Sequence, residues 1–364
     1  MSAGRVILLA STDRDGGAEQ SLVRLYRGLA DRGEDVLLVG RMPRWAEAGL
    51  PIHPVEIGPK WSRSTLGTSL RGARADRRAF LDAVAGEPVR AYHTVFKREQ
   101  VLLTRALARR APVVWSEQGQ LPSTGVLGLA QARAYALASR HVAGIAAVSS
   151  LVVRSLPEPA RSRARVVHNG IDLSRYRPAD AESRREARAA LGVTGEGPVL
   201  AWTGRVDASK RAALAVRVAE QLPDATLLVA GDGTELAAVR EAASRLPGRV
   251  HVLGALSDPS PVYRAADAFL FTSDGRGEGL PTVLIEAAAT GLPIVGMDDG
   301  GYDELVRDAG GVLCAPEPAA IAAAVRPFLQ RPQPREAALA WARTCSVDAM
   351  VAAFAALLDE TAPR

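Results

Sequence analysis

The chain has 364 residues, 48% of them hydrophobic, which is material for two buried cores rather than one and argues against a disordered tract. Its only cysteines, Cys314 and Cys345, lie far apart in sequence, against a disulfide-built secreted scaffold. The formal charge of +5 divides unevenly: residues 1–172 hold 25 Lys and Arg against 15 Asp and Glu, and residues 173–364 hold 20 against 25. A basic first half suits an anionic partner, an acidic substrate or an anionic membrane surface, and equally a plain solvated face.

In chain order, "RVILLAS" reads as a buried strand, "AEQSLVRLYRGLADRG" as an amphipathic helix ending at Gly33, and "DVLLVG" as the next strand. The opening apolar run is too short for a signal peptide, and no stretch of about 18 apolar residues occurs, so a soluble cytoplasmic protein is expected. "APVVWSE" and "GIAAVSS" are later strands of the first half. After "VVHNGIDLSRYRP", whose Asn-Gly and Pro suit a turn and linker, the rhythm repeats. "GPVLAWTG", "ATLLVAG", "RVHVLG", "DAFLFTS", "LPIVG" and "GGVLC" are strands, with helices expected from about Ser209, Thr234, Pro281 and Tyr302. The tail, about 335 to 360, reads as one alanine-rich helix. Strands alternating with helices of this length imply parallel sheets, and two such runs imply two doubly wound domains.

Ligands of open α/β sheets sit beyond the carboxyl ends of the strands, so residues that follow strands carry the information. "ASTDRDGGAEQ" follows the first strand, and Gly16 and Gly17 would let a phosphate or sugar approach the backbone at a helix N-terminus. The loop is not G-x-G-x-x-G, so no nicotinamide cofactor is indicated. "WTGRVDASKR" places Arg205 and Lys210 after the first strand of the second half, and Lys210 is one of only three lysines. Two such cations can neutralise a diphosphate without a metal. "DGRGEGLPTVLIEAAATGLPIVG" sets Glu278 in a loop and Glu286 within the following helix, with Gly279 and Leu280 near its positive end and Pro281 suited to its first turn. Carboxylates accept hydrogen bonds from paired hydroxyls, so this pair suits the ribose and the hexose of a sugar nucleotide.

These stretches together resemble the GT-B glycosyltransferases, specifically glycosyltransferase family 4, through "GGAEQSLVRLYRGLADRGEDVLLV", "VVHNGIDLSRYRP", "GRVDASK", "VAGDGTE", "VHVLGALSD" and the Glu-x7-Glu motif "EGLPTVLIE". The resemblance implies two Rossmann-like domains facing a cleft: residues 1–172 on the acceptor side, 173–343 holding the sugar nucleotide, and a C-terminal helix, 344–364, returning to the first domain. It implies retaining, metal-independent transfer, with the nucleotide sugar as co-substrate and no cofactor or nucleic acid. Arg205 and Lys210 would bind the donor diphosphate, Glu286 the ribose, and Glu278, also a catalytic candidate, the hexose. Backbone near Leu253 would meet the base, Gly17 would approach the diphosphate, and Glu19 would touch the acceptor. A sugar-nucleotide epimerase and a non-catalytic sugar-nucleotide-binding protein share the architecture.

Two features depart from that pattern. Where many relatives have a histidine after "PVVWSEQGQ", this chain has Glu117, Gln118 and Gly119, while His93 lies near another strand end; Glu117 and His93 are first-domain catalytic candidates and Gln118 an acceptor contact. "DRD" at 13 to 15 mimics a metal-binding Asp-x-Asp but precedes Gly-Gly in the first-domain loop, and it is read as no metal site. "MDDGG", 297 to 301, reads as a loop before a helix. Finally, residues 61 to 84 set five arginines among Trp61, Leu66, Leu70, Phe80 and Leu81, a possible face for peripheral docking on an anionic membrane.

Overall fold

A computed structural model of the chain describes residues 4–13, 16–55, 66–121, 125–275, 278–330 and 336–362. It divides into two compact units, Met1–Gly170 with Val347–Arg364, and Ile171–Ser346. The sequence expectation put the divisions after 172 and 343. Ile171 and Ser346 pair as an isolated bridge, and the Ile171 amide donates to the Cys345 carbonyl at 3.0 Å, which draws both crossing residues into the second unit.

The first unit is built on β1 (Arg5–Ser11), β2 (Val36–Arg41), β3 (Ile52–His53), β4 (Val89–Thr94), β5 (Val113–Glu117), β6 (Gly144–Ala147) and β7 (Ala164–Val166). These form one parallel sheet in the order β3-β2-β1-β4-β5-β6-β7. β1 is buried on both faces: Val6, Leu8 and Ala10 enter one core and Ile7 and Leu9 the other, as a continuous apolar run requires. The second unit repeats the scheme with β8 (Val199–Thr203), β9 (Thr226–Ala230), β10 (Val250–Gly254), β11 (Ala268–Phe271), β12 (Ile294–Met297) and β13 (Val312–Cys314), in the order β10-β9-β8-β11-β12-β13. Strand order reverses between β1 and β4 and again between β8 and β11. Those two switch points are where doubly wound sheets open a crevice for ligands.

The tail is two helices, not one. Glu336–Thr344 stays with the second unit, and Val347–Thr361 buries Met350, Val351, Phe354, Leu357 and Leu358 in the first. Each such side chain contributes roughly 1.5–3 kcal/mol. The chain breaks at Cys345–Ser346, where Ser346 makes its bridge to Ile171. Close packing there demands Gly28, since a Cβ would lie 2.4 Å from Val351 Cγ2.

The basic segment of the first unit forms the helix Leu66–Ala83. Trp61 and the side chains of Leu66 and Leu70 lie outside the described residues. Phe80 is buried and Leu81 packs against the same core, so this helix spends its described apolar residues inside the unit.

Candidate functional site

The second unit's switch point gathers most of the predicted donor residues. The loop after β8 is organised by Asp207, whose Oδ1 accepts from the Ser209 amide at 3.0 Å and hydroxyl at 2.6 Å, and whose Oδ2 accepts from Arg205 Nε at 2.6 Å. Burial pushes the Asp207 carboxyl up, but the hydrogen bonds from Ser209 and Arg205 outweigh it and hold the group below its usual value. Arg205 itself is 66% exposed and stays available to a ligand. The helix expected from Ser209 starts at Ala212, because Arg211 takes a left-handed conformation (φ 53°) and its guanidinium reaches Asp299 at 2.9 Å. Asp299 lies in the "MDDGG" loop between β12 and the helix Asp303–Asp308.

Across the switch point, the loop after β11 supplies Glu278, which forms an ion pair with Lys210. Lys210 Nζ also donates to Ser273 Oγ at 3.4 Å. Two anchors bring the loops together. The Asp274 amide donates to the Ser209 carbonyl at 2.8 Å, and the Thr272 hydroxyl donates to the Lys210 carbonyl at 2.6 Å. Gly275 is required by close approach: its φ is +79°, and a Cβ would fall 1.4 Å from the Gly300 carbonyl oxygen. Gly279 and Leu280 are buried ahead of the helix Thr282–Ala289, with Pro281 at its N-cap.

Glu286 sits half-buried on that helix and accepts from the Tyr263 hydroxyl at 2.6 Å. Tyr263 is fully enclosed, with Thr203 Oγ1 2.5 Å from its oxygen. Burial first, then the Glu286 charge, hold its phenol well above the usual range, so it remains a donor. Tyr302 is likewise raised, by burial and then by the charge of Glu278. Leu253 is the extra residue at a register shift between β10 and β9, which turns the strand end just before Gly254.

The first unit treats its candidates differently. Gly16 caps the helix Gly17–Asp31, and its amide donates to the buried Glu19 carboxylate at 3.2 Å. His93 is 0% exposed, with Nδ1 2.9 Å from the Tyr26 hydroxyl and Nε2 2.7 Å from the Ser116 hydroxyl. Burial lowers its pKa to about 3, so the ring is neutral. Glu117 is 2% exposed, paired with Lys97 and accepting from Gln100 at 2.8 Å and Tyr135 at 3.0 Å. Lys97 also stands 4.6 Å above the Tyr135 ring. His93 and Glu117, the first-domain catalytic candidates, are thus both enclosed, and each ties a strand to neighbouring helices. Gln118, next along, is half-buried, and its Oε1 has no hydrogen-bond partner among the described residues. Asp13 pairs with Arg41 at 2.5 Å; the rest of "DRD" lies outside the described residues.

Sequence reasoning missed Asp207, Ser273, Tyr263 and Tyr302 in the second unit and Lys97, Gln100 and Tyr135 in the first. Lys97 carried a signal, being one of three lysines in an arginine-rich chain. Tyr263 carried none, since it meets Glu286 from another helix 23 residues away.

A cavity of about 820 Å³ lies at the opposite end of the second sheet, beside Pro198, Asp267 and Pro293, which precede β8, β11 and β12. Two of its three arginines are engaged structurally: Arg184 and Arg188 hold Asp267 at 2.5 and 2.6 Å, and Asp267 in turn accepts the Val199 amide at 2.7 Å. Among the described residues no group of His, Cys, Asp or Glu gathers as a metal site.

Two family models match the chain in succession: Glycosyltransferase Family 4 over residues 15–175, and Glycosyl transferases group 1 over residues 183–343. A D-inositol 3-phosphate glycosyltransferase of Mycobacterium sp. (strain KMS) is 37% identical over 168 residues, 42% of this chain and 36% of that relative. The match thus spans about a third of the relative's length. Anabaena HepE, solved in complex with UDP, superposes with a TM-score of 0.81 at 19% identity, covering 98% of this chain and 99% of that one. Sucrose-phosphate synthase from Thermosynechococcus elongatus gives 0.77 at 18% identity, covering 98% and 99%. At such identities the likeness establishes the fold.

Proposed function

The chain belongs to glycosyltransferase family 4, with the GT-B architecture, and from that premise we propose that it transfers a hexose-type sugar from a nucleotide-diphosphate sugar to a hydroxyl acceptor, with retention and without a metal. The observation that carries this reading is the meeting of Lys210 and Glu278 from the two loops that flank the second unit's switch point. A cation and a carboxylate held together, both partly exposed, can part to receive a diphosphate and a sugar hydroxyl respectively. Arg205 adds a second, exposed cation. Glu286, oriented by Tyr263, takes the ribose, and backbone beside Leu253 takes the base.

In the proposed reaction the bond from the anomeric carbon to the diphosphate oxygen breaks as the bond to the acceptor oxygen forms on the same face. The acceptor proton passes to the leaving diphosphate. The protein then contributes position and charge rather than a covalent partner. Residues 1–172 would present the acceptor, with Gly17 near the diphosphate and Glu19 and Gln118 as contacts. The mycobacterial relative's name makes a phosphorylated cyclitol the first acceptor to try, and UDP, bound in HepE, the first base.

A thermal-shift panel of UDP-, GDP-, dTDP- and ADP-sugars identifies the donor, because a ligand of the native state raises apparent stability. Product from that donor is then followed by NMR with and without EDTA. Retained anomeric configuration and activity in EDTA are expected. Conversion of the donor to an isomer without acceptor would make the protein an epimerase, and donor binding without any turnover would make it a non-catalytic binder. Loss in EDTA with rescue by Mn²⁺ would overturn metal independence.

A further inference from the structure

The sequence from Gln118 to Pro157 contains no Asp or Glu, the 40-residue interval between Glu117 and Glu158. Within it the helix Gly125–Ser139 runs along the surface of the first unit. Leu129 and Leu137 on this helix are 54% and 58% exposed, two of five large hydrophobics so exposed among the described residues. At 100° per residue, Leu129, Arg133, Leu137 and the following Arg140 fall within an arc of about 80°. Arg133 and Arg140 are exposed, and neither has a carboxylate partner among the described residues. The helix Lys97–Leu107 packs alongside, and its exposed successors Arg109 and Arg110 join Arg140 and His141 around a depression of about 380 Å³. Of the acids on the helices packed against this one, Glu158 is held by Arg161 at 3.2 Å, and Glu99 is buried with Arg98 at 2.8 Å. The stripe thus alternates leucine and arginine along one face of the helix, with Arg109 and Arg110 adding cations beside its C-terminal end.

We propose that this face docks peripherally on an anionic lipid bilayer. The two leucines enter the interface, and the arginines at 109, 110, 133 and 140 lie at headgroup level. The charge argues for a bilayer rather than a second copy of the chain, since two copies of an acid-free basic face repel. No helix among the described residues is long and apolar enough to cross a membrane, so attachment is at the surface. Each arginine near an anionic leaflet strengthens binding by about fivefold, so the four together make a reversible, salt-sensitive attachment. The inference does not depend on the transferase reading, because binding is measured without donor or acceptor.

The test is co-sedimentation of the full chain with vesicles of phosphatidylcholine containing increasing phosphatidylglycerol. Binding is expected at low salt on anionic vesicles only, fading as the screening length shortens towards about 8 Å. Arg133→Gln with Arg140→Gln should weaken it about 30-fold, and Leu129→Ser with Leu137→Ser about tenfold or more, each with an unchanged melting temperature. Indifference of the wild type to anionic vesicles at low salt overturns the proposal. So does binding that ignores both double variants, which would move the contact to another surface such as the helix Leu66–Ala83. A concentration-dependent dimer that Leu129→Ser with Leu137→Ser abolishes would assign the face to self-association instead.

Discussion

Two lysines each pair with a glutamate at or beyond the carboxyl end of a strand, and the pairs are built to opposite ends. In the first unit Lys97 meets Glu117, whose side chain is 2% exposed and also takes Gln100 and Tyr135. In the second, Lys210 meets Glu278, which is 32% exposed. A buried carboxylate saturated by three donors has nothing left to offer a ligand and is costly to disturb. A half-exposed one beside a cation can exchange partners at small cost. The same two residue types, at similar places after parallel strands, make a strut in one unit and a candidate site in the other. The difference lies in what packs over them.

The largest expected effect tests the strut. Glu117→Ala removes a carboxylate only 2% exposed, so that Lys97, Gln100 and Tyr135 all lose their acceptor, and should lower stability by about 3–5 kcal/mol. Denaturant melts should show this, whereas Glu278→Ala should cost less, since its carboxylate is 32% exposed and Lys210 keeps Ser273 within reach. Equal stability losses would erase the distinction between the pairs.

That distinction marks the limit of what could be read beforehand. Both doubly wound sheets were legible because parallel strands are apolar throughout, as in "RVILLAS", and because glycines and prolines punctuate the chain. Lys210, Glu278 and Glu286 could be singled out as candidates because they lie in loops after strands or in the helix that follows one, positions that local pattern marks. His93 and Glu117 follow the same local rule, yet they are enclosed by Tyr26, Phe354, Gln100 and Tyr135 from distant parts of the chain. Burial of a polar group is set by such long-range packing, which no short window of sequence carries. The tail break at Cys345–Ser346 was hidden for the same reason, since its cause is the bridge to Ile171.

On the other side of the comparison, Lys210→Ala should reduce turnover about 10²-fold or more while the protein stays folded, because it removes a fixed charge aimed at the developing diphosphate. Arg205→Ala should cost less, since its guanidinium is 66% exposed and works through solvent. Single-turnover rates with saturating donor measure both. Near-normal turnover by Lys210→Ala would remove the lysine from the chemistry.

The buried side of the first unit also predicts a pH response. His93 has a folded pKa of about 3, set by burial, below the roughly 6.5 of an unfolded histidine. The unfolded chain therefore binds the extra proton first. The stability His93 contributes is fully present above about pH 6.5 and is lost as pH falls towards 3, by about 2 kcal/mol at pH 5. Urea midpoints of wild type and His93→Gln, measured at pH 7.5 and 5, should converge as pH falls. Parallel pH dependences would mean that the imidazole protonates in place.

The smallest effect sharpens the second unit's half of the comparison. Tyr263 touches Glu286 through one hydroxyl, 2.6 Å from Oε2, and its phenol stays protonated because burial and the Glu286 charge both oppose ionisation. Tyr263→Phe keeps the ring that packs against Phe269 and Tyr176 but withdraws the donor that aims the carboxylate. A hydrogen bond to a charged group is worth about 1.5–3 kcal/mol when a partner is simply deleted, and less here because Glu286 remains partly solvated and can recruit water. The expected loss is therefore about tenfold in nucleoside diphosphate affinity, read by calorimetry. Glu286→Ala should lose more, and the double variant no more than Glu286→Ala alone, since Tyr263 acts only through the carboxylate. Additive losses in that double-mutant cycle would show that Tyr263 meets the nucleotide by another route, and Glu286 would then stand in the site without its positioning partner.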